Sequence, residues 1–177
     1  MRQSRPELEA ESWAFALAIY ARPGVAEACL ALQYELGVDV MLLLIATFAA
    51  VKHRILLTPD EIAAMDEACR PWRDRVVRAL RAIRTELKTG PDPAPSDATE
   101  QFRSKIKTLE LEAEKLENRL LAECLPLRPG QAKARPEQLR AVLNDVVMRF
   151  ADQRGTKATA GLSSSIDVIV GAAMQDA

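Results

Sequence analysis

Histidine occurs once in this chain of 177 residues, cysteine three times, and aromatic side chains make up only 5% of it. A multi-histidine metal site therefore cannot be assembled, and His53 could serve a Ser-His-Asp or Cys-His system just once. Cys29, Cys69 and Cys124 are odd in number, lie far apart and form no C-x-x-C pair. They suggest neither a disulfide framework nor a zinc site, and they fit a reducing, cytoplasmic setting. The N-terminus lacks the basic-then-apolar pattern of a secretory signal, since Glu7, Glu9 and Glu11 precede Trp13, and no apolar run is long enough to cross a bilayer. Export and integral insertion are not expected. Aromatics are scarce and glycine and proline modest, while alanine, leucine, glutamate and arginine dominate, which predicts an all-α fold.

What is present is most distinctive from Val40 to Val51, which contains one polar side chain, Thr47, and neither glycine nor proline. As a helix this run is about 18 Å long, short of the roughly 30 Å of a hydrocarbon layer. It predicts the central helix of a soluble core. Upstream, a helix from Glu7 or Ser12 carries Trp13, Leu17 and Tyr20 on one face and ends before Arg22-Pro23-Gly24. A second carries Val25, Cys29, Leu32 and Leu36 and stops at Gly37, a position for a left-handed cap, after which Asp39 can cap the apolar helix. Downstream, Thr58-Pro59-Asp60-Glu61 reads as a capping box opening a helix to about Cys69. Pro71 is expected to restart the chain, with Trp72, Val76, Leu80, Ile83 and Leu87 on the apolar side of a helix reaching Lys88 and Trp72 as a core anchor.

Pro91, Pro93 and Pro95 interrupt the pattern, and the predicted division places a compact multi-helix core domain at 7–88, a Pro-rich linker at 89–98, an amphipathic helical hairpin at 99–153 and a loosely ordered tail at 154–177. The first helix of the hairpin carries Phe102, Ile106, Leu109, Ala113, Leu116 and Leu120, in the alternating steps of a coiled-coil seam. The second carries Leu139, Val142, Leu143, Val146, Val147 and Phe150. In the tail, Ile166 to Val170 forms a brief apolar patch, docked on the core or open to a partner.

The net charge of −1 is unevenly spread: residues 1–69 hold five Lys/Arg against ten Asp/Glu, whereas residues 70–88 hold seven against two. Arg73, Arg81, Arg84 and Lys88 fall within about 80° of one another on a helix. The strip suits a phosphate, an acidic partner helix or an anionic lipid surface, or it is a solvated face neutralised by the acidic N-terminal half. A broad cationic surface is missing, so specific nucleic-acid binding is not expected. Ser104-Lys105-Ile106-Lys107 and Lys88-Thr89-Gly90 match S-x-x-K and K-T-G, but in reversed order and without an S-D-N element, and are read as coincidence. His53 follows the apolar helix, where it can meet the C-terminal dipole. Arg22-Pro23-Gly24-Val25 offers helix-start N–H groups to an anion or simply makes a tight turn, and Gln33 and Asp39 are polar residues able to line an internal pocket.

The ordered series Trp13, Phe15, Leu17, Tyr20, Pro23-Gly24-Val25, Ala28-Cys29-Leu30, Leu32-Gln33, Gly37, Asp39-Val40 and Leu42-Leu43-Leu44, with the block from Trp72-Arg73 to Leu87-Lys88, resembles a family of small bacterial hypothetical proteins noted for a very hydrophobic region near the N-terminus. The likeness spans roughly residues 12 to 88, with Met41 where that family has asparagine. It implies a bacterial origin and a shared fold and brings no activity, ligand or catalytic residue. Three functions are therefore expected in descending order, none with a catalytic, metal or cofactor residue. The first is a non-enzymatic contact protein using Phe102, Ile106, Leu109, Leu116 and Leu120 as a seam for a protein partner or a second copy. The second is a small-molecule carrier or sensor for an apolar or anionic ligand, with an apolar pocket around Val40–Val51 and Arg81 or Arg84 at its mouth. The third is peripheral binding to anionic membranes.

Overall fold

A computed structural model describes residues 5–130, 132–156 and 160–176. Within them the chain forms α1 (Arg5–Tyr20), α2 (Val25–Leu36), α3 (Val40–Lys52), α4 (Pro59–Trp72), a π-helical turn (Arg73–Val77), α5 (Arg78–Glu86), α6 (Asp97–Cys124), α7 (Pro136–Arg154), α8 (Ala160–Ala173) and a closing 3-10 turn (Met174–Asp176). No strand occurs among the described residues, so the fold is all-α.

Local chemistry sets the helix ends. Gly37 adopts φ +69° and its N–H closes the last turn of α2, a conformation costly for a residue with a Cβ. Asp39 accepts the N–H groups of Met41 and Leu42 at 2.9 and 3.2 Å, capping α3. Thr58 and Glu61 form the reciprocal capping box that opens α4. From Met41 to Val51 every side chain of α3 is buried, with α1, α2, α6 and α7 packed around it. Thr47, its one hydroxyl, is satisfied by donating to the Leu43 carbonyl at 2.8 Å. No single described helix is long and apolar enough to cross a membrane; α1 and α2 together have the length and composition but are bent by 100°.

The predicted division into core, linker, hairpin and tail does not hold. The proline segment is the loop of an antiparallel α5–α6 pair, and the 28 residues of α6 pack on α1, α3, α4 and α5. α7 packs on α2, α3, α4 and α8, so α6 and α7 serve the common core and do not pair as a hairpin. The segment 154–177, expected to be loosely ordered, contains α8, which buries Leu162, Ile166, Ile169 and Val170 against α2 and α7; residues 157–159 and 177 lie outside the described residues. Pro71 does not restart the chain either. The helix runs through it into the π turn, where the Arg78 N–H reaches back five residues to the Arg73 carbonyl. The reason is tertiary: this course carries Arg73 and Val77 inward, to 3% and 2% exposure.

The α7 approach is close enough to test. A Cβ on Gly130 would lie 2.3 Å from the His53 carbonyl oxygen. Gly130→Ala is expected to lower stability by about 1–3 kcal/mol, the usual range for overpacking, in urea denaturation. An unchanged midpoint would show that this loop yields freely.

Candidate functional site

The arginines of the predicted strip point into the protein. Arg73, on the π turn, places Nη1 3.1 Å from Asp39 Oδ2 and 2.7 Å from Asp66 Oδ1, while its guanidinium carbon lies 5.1 Å from the centre of the Phe150 ring. Asp66 is fully buried and its other oxygen receives Arg149 Nε at 3.0 Å and Gln153 Nε2 at 2.7 Å. Burial pushes the Asp66 carboxyl up, but Arg73, Arg149 and Gln153 together hold it below the usual aspartate value. On Arg73, burial works against the charge and the two aspartates outweigh it, so its pKa is raised.

About two turns on, Arg81 donates from Nε to Glu110 at 2.7 Å, from Nη1 to the Gln33 side-chain oxygen at 2.7 Å and from Nη2 to Glu114 at 2.6 Å. Arg84 donates to both oxygens of Glu110. Burial penalises the Glu110 charge, but Arg84 and Arg81 keep the pKa lowered. Of the four strip residues, Arg73, Arg81 and Arg84 thus serve internal carboxylates, and Lys88 is exposed beyond the end of α5. The strip as a free anion grip is overturned, because the acids that neutralise it come from α3, α4 and α6 and hold it in the interior.

The pairing also shapes which faces are buried. On the α4–π–α5 run, Arg73 and Val77 are buried, while the predicted Trp72, Val76 and Leu80 are half-buried, as is Arg81; Ile83 is left 47% exposed. Trp72 is half-buried and donates its indole N–H to the Ala113 carbonyl at 2.9 Å, tying the run to α6. On α6 the inward residues include Glu110 and Glu117, one beyond Leu109 and Leu116. Ile106 and Ala113 are buried and Leu120 is half-buried, but Phe102, Leu109 and Leu116 are 55%, 51% and 48% exposed. The predicted seam is therefore split. A one-residue shift is a rotation of about 100°, and the arginine–glutamate pairs select it over a wholly apolar contact.

Above this charge seam lies a cleft of about 640 Å³, between the α2–α3 turn and the π–α5 run, with Tyr34, Gly37, Arg78, Ala82 and Thr85 in its walls and Asp39, Arg73 and Glu117 at its base. Gln33 and Val40 also line a neighbouring pocket of about 160 Å³ with Trp13, Tyr20, Met41, Leu44 and Glu114. This smaller pocket meets α3 at Val40, Met41 and Leu44, at one end of the run where an apolar cavity was expected. At the mouth, the Arg154 guanidinium occupies the space left by the missing Cβ of Gly37 and holds a 3.4 Å bond to the Glu35 carbonyl.

Glu117 is the group that composition and periodicity gave no reason to single out. It is 1% exposed, and its Oε1 has no hydrogen-bond partner among the described residues. Burial raises its pKa far above the glutamate range, and the nearby Asp39 charge together with a hydrogen bond to Asp39 adds to this, so Glu117 is protonated at neutral pH. The sign of the consequence is definite. An unfolded glutamate ionises at about 4.3, so the stabilisation that Glu117 contributes is complete below that value and declines as pH rises through the folded value. In Glu117→Gln this loss is absent: wild-type stability relative to the variant is expected to fall by up to about 1.4 kcal/mol per pH unit between pH 5 and 9 in urea denaturation. A difference independent of pH would mean that Glu117 is ionised in the folded protein.

The remaining candidates are accounted for structurally. His53 ends α3, packs edge-on to Phe48 with ring centres 4.8 Å apart and lies 3.4 Å from Glu11. The start of α2 at Gly24 is approached by α8, with Val168 3.3 Å from where a Cβ would stand. Ser104 and Lys107 are exposed on α6. Cys29 and Cys69 are buried free thiols, and burial pushes Cys29 up to about 12 and raises Cys69 as well.

A family model for proteins of unknown function, DUF2390, matches residues 11–121. The match takes in Asp39, Asp66, Arg73, Arg81, Glu110, Glu114 and Glu117, and leaves α7 and α8 outside. No curated protein and no solved structure matches the chain.

Proposed function

We propose that this chain, which belongs to the DUF2390 family of proteins of unknown function, is a small-molecule carrier or sensor of the bacterial cytoplasm whose polar binding site is the cleft over Glu117. The observation that carries this reading is that Glu117, a buried carboxyl group with one unpartnered oxygen, lines a cleft of about 640 Å³. Leaving such a group unsatisfied costs about 1–3 kcal/mol, and buried polar groups in folded proteins are otherwise nearly always paired. The size suits a small ligand, since such sites commonly span about 300–1,000 Å³. The π turn beside the cleft adds support, because such turns are frequent at functional sites. Binding is non-enzymatic in this reading.

Native mass spectrometry on the protein purified gently from its own cells is the test. A fixed small added mass, lost on denaturation and absent from Ala82→Trp, which fills the cleft wall without touching the ion pairs, is the expected result. A protein free of any small adduct would refute it.

The outward row of Phe102, Leu109 and Leu116, seven residues apart and each about half exposed, favours a second reading, contact with a second copy through α6. Under it, sedimentation shows a dimer that Phe102→Ser, Leu109→Ser and Leu116→Ser together convert to a monomer. Attachment to anionic membranes has lost its support, because Arg81 and Arg84 already meet Glu110.

A further inference from the structure

We propose that the pocket of about 160 Å³ beside the cleft is a second binding site, which takes a single neutral aromatic ring bearing a hydroxyl group, the phenol class. The ligand hydroxyl donates to Glu114 and accepts from Tyr20. This site goes beyond the cleft reading and does not depend on it.

Size and walls set the body of the guest. An apolar cavity of about 150 Å³ accepts one benzene ring, so this pocket holds one ring and not two. Trp13, Leu17 and Tyr20 line it from α1, Met41 and Leu44 from α3 and Leu111 from α6. Two of these side chains are aromatic and can meet a flat ring offset or edge-on. Leu17 and Leu111 are left 49% and 48% exposed, an apolar lip that a bound ring would shield from water.

The polar side chains of the lining set the substituent. Arg81 donates to Gln33 Oε1 and Glu114 Oε1 at 2.7 and 2.6 Å, which fixes both side chains. The Gln33 amide N–H groups and Glu114 Oε2 then have no partner among the described residues. The Glu114 side chain is 25% exposed, so it remains within reach. Tyr20 is half-buried, and its hydroxyl has no hydrogen-bond partner among the described residues either. Burial raises the Tyr20 pKa, with Cys29 and Glu114 adding to the rise, so that hydroxyl is a donor at neutral pH. A ligand hydroxyl, which both donates and accepts, answers the open acceptor and an open donor together. Charge selects a neutral ligand. Arg81 and Arg84 pair with Glu110 and Glu114, and none of the four pairs with a charge outside this group among the described residues. A carboxylate would be repelled by Glu114, and an ammonium would compete with Arg81 for it.

Phenol is the probe, titrated into the isotope-labelled full chain and followed by NMR at the Trp13 indole and Gln33 amide signals. The expected result is saturable binding with a Kd of about 1 mM or tighter, within what a ligand of this size can supply. Toluene, of the same shape without the hydroxyl, should bind at least about fivefold more weakly, the loss of one net hydrogen bond. Benzoate, which adds a negative charge, and 1-naphthol, which adds a ring, should each be weaker by about tenfold or more. Tyr20→Phe, with an unchanged circular dichroism spectrum, should weaken phenol by about threefold or more and leave toluene unaltered. Leu17→Trp, at the exposed lip, should block both ligands, and Ala82→Trp, in the wall of the large cleft, should affect neither. Toluene, benzoate or 1-naphthol binding as tightly as phenol, phenol affinity unaltered by Tyr20→Phe and Leu17→Trp, loss of phenol binding in Ala82→Trp, or no saturation by phenol overturns the proposal. None of these results bears on a native ligand in the cleft, and a cleft without one leaves this pocket standing.

Discussion

Arg73→Met is expected to lower folding stability by about 3–5 kcal/mol, the range found when one partner of a buried ion pair is removed. The guanidinium group is 4% exposed and bridges Asp39 and Asp66, which are 3% and 0% exposed at their side chains. Methionine preserves much of the volume against Phe150, so the loss reports charge: two buried carboxylates remain where one cation had balanced them. Arg149 and Gln153 still reach Asp66 from α7, whereas Asp39 keeps two backbone N–H groups and its hydrogen bond with Glu117 but no cation. Asp39→Asn, which can still cap α3, should therefore restore part of the stability in the Arg73→Met background, so that the two losses are not additive. Urea denaturation of the four proteins of the cycle measures this. A loss under about 1 kcal/mol for Arg73→Met, the level of a surface pair, would show that the buried network adds little. Arg78→Met is the contrast, since both partners of the Arg78–Asp74 pair are 41% exposed.

Ending the chain after Gly155 is expected to have an effect of comparable or greater size. It removes α8, and with it Leu162, Ile166, Ile169 and Val170, all at or below 4% exposure. At roughly 1.5–3 kcal/mol for each large apolar side chain buried, these contribute about 6–12 kcal/mol, against a total of about 5–15 kcal/mol for a typical domain. Truncation also uncovers Val25, Ala28 and Cys29 on α2, the helix with which α8 makes its most extensive contact. The truncated chain should lose its cooperative thermal transition and bind a hydrophobic dye. If it melts cooperatively within a few degrees of the full chain, α8 is an accessory and the remaining helices form an adequate core. This matters for dissecting function, because a deletion from Ser96 onward removes α6 along with α8 and would destroy the fold, leaving no domain to assay.

Where the linear code is local, reading it was enough. The Gly37 cap, the Asp39 cap and the Thr58–Glu61 box each depend on groups within four residues, and each is present. The burial of Met41 to Val51 followed from composition, since no helix face there offers water a polar partner other than Thr47. The fate of α8 was less legible, because Ile166 to Val170 is a short patch and its burial depends on the α2 surface more than a hundred residues earlier in the chain. The proline-rich segment was misjudged for a related reason: its residues interrupt a helix, but whether such a break separates domains or closes a hairpin depends on whether the flanking helices attract each other.

The candidate site shows the limit most clearly. Periodicity marks apolar stripes, and on that basis Trp72, Val76 and Leu80, and Leu109 and Leu116, are the faces to bury. In the folded chain Glu110 and Glu117 turn inward on α6 in place of Leu109 and Leu116, and Arg73 and Arg81 share the inner side with the half-buried Trp72, Val76 and Leu80, so that the arginines meet Asp39, Asp66, Glu110 and Glu114. These charges have value inside only when matched, and their partners lie 26 residues away for Arg84–Glu110 and 83 for Arg149–Asp66. The sequence by itself determined the helices, their caps and the central place of α3, because propensity, capping and hydrophobic density act over a few residues. Tertiary structure alone decided which face of α5 and α6 turns inward, that α8 docks, and that Glu117 is left with an unpartnered oxygen beneath a cleft, because charge pairing and desolvation are settled between residues that only folding brings together.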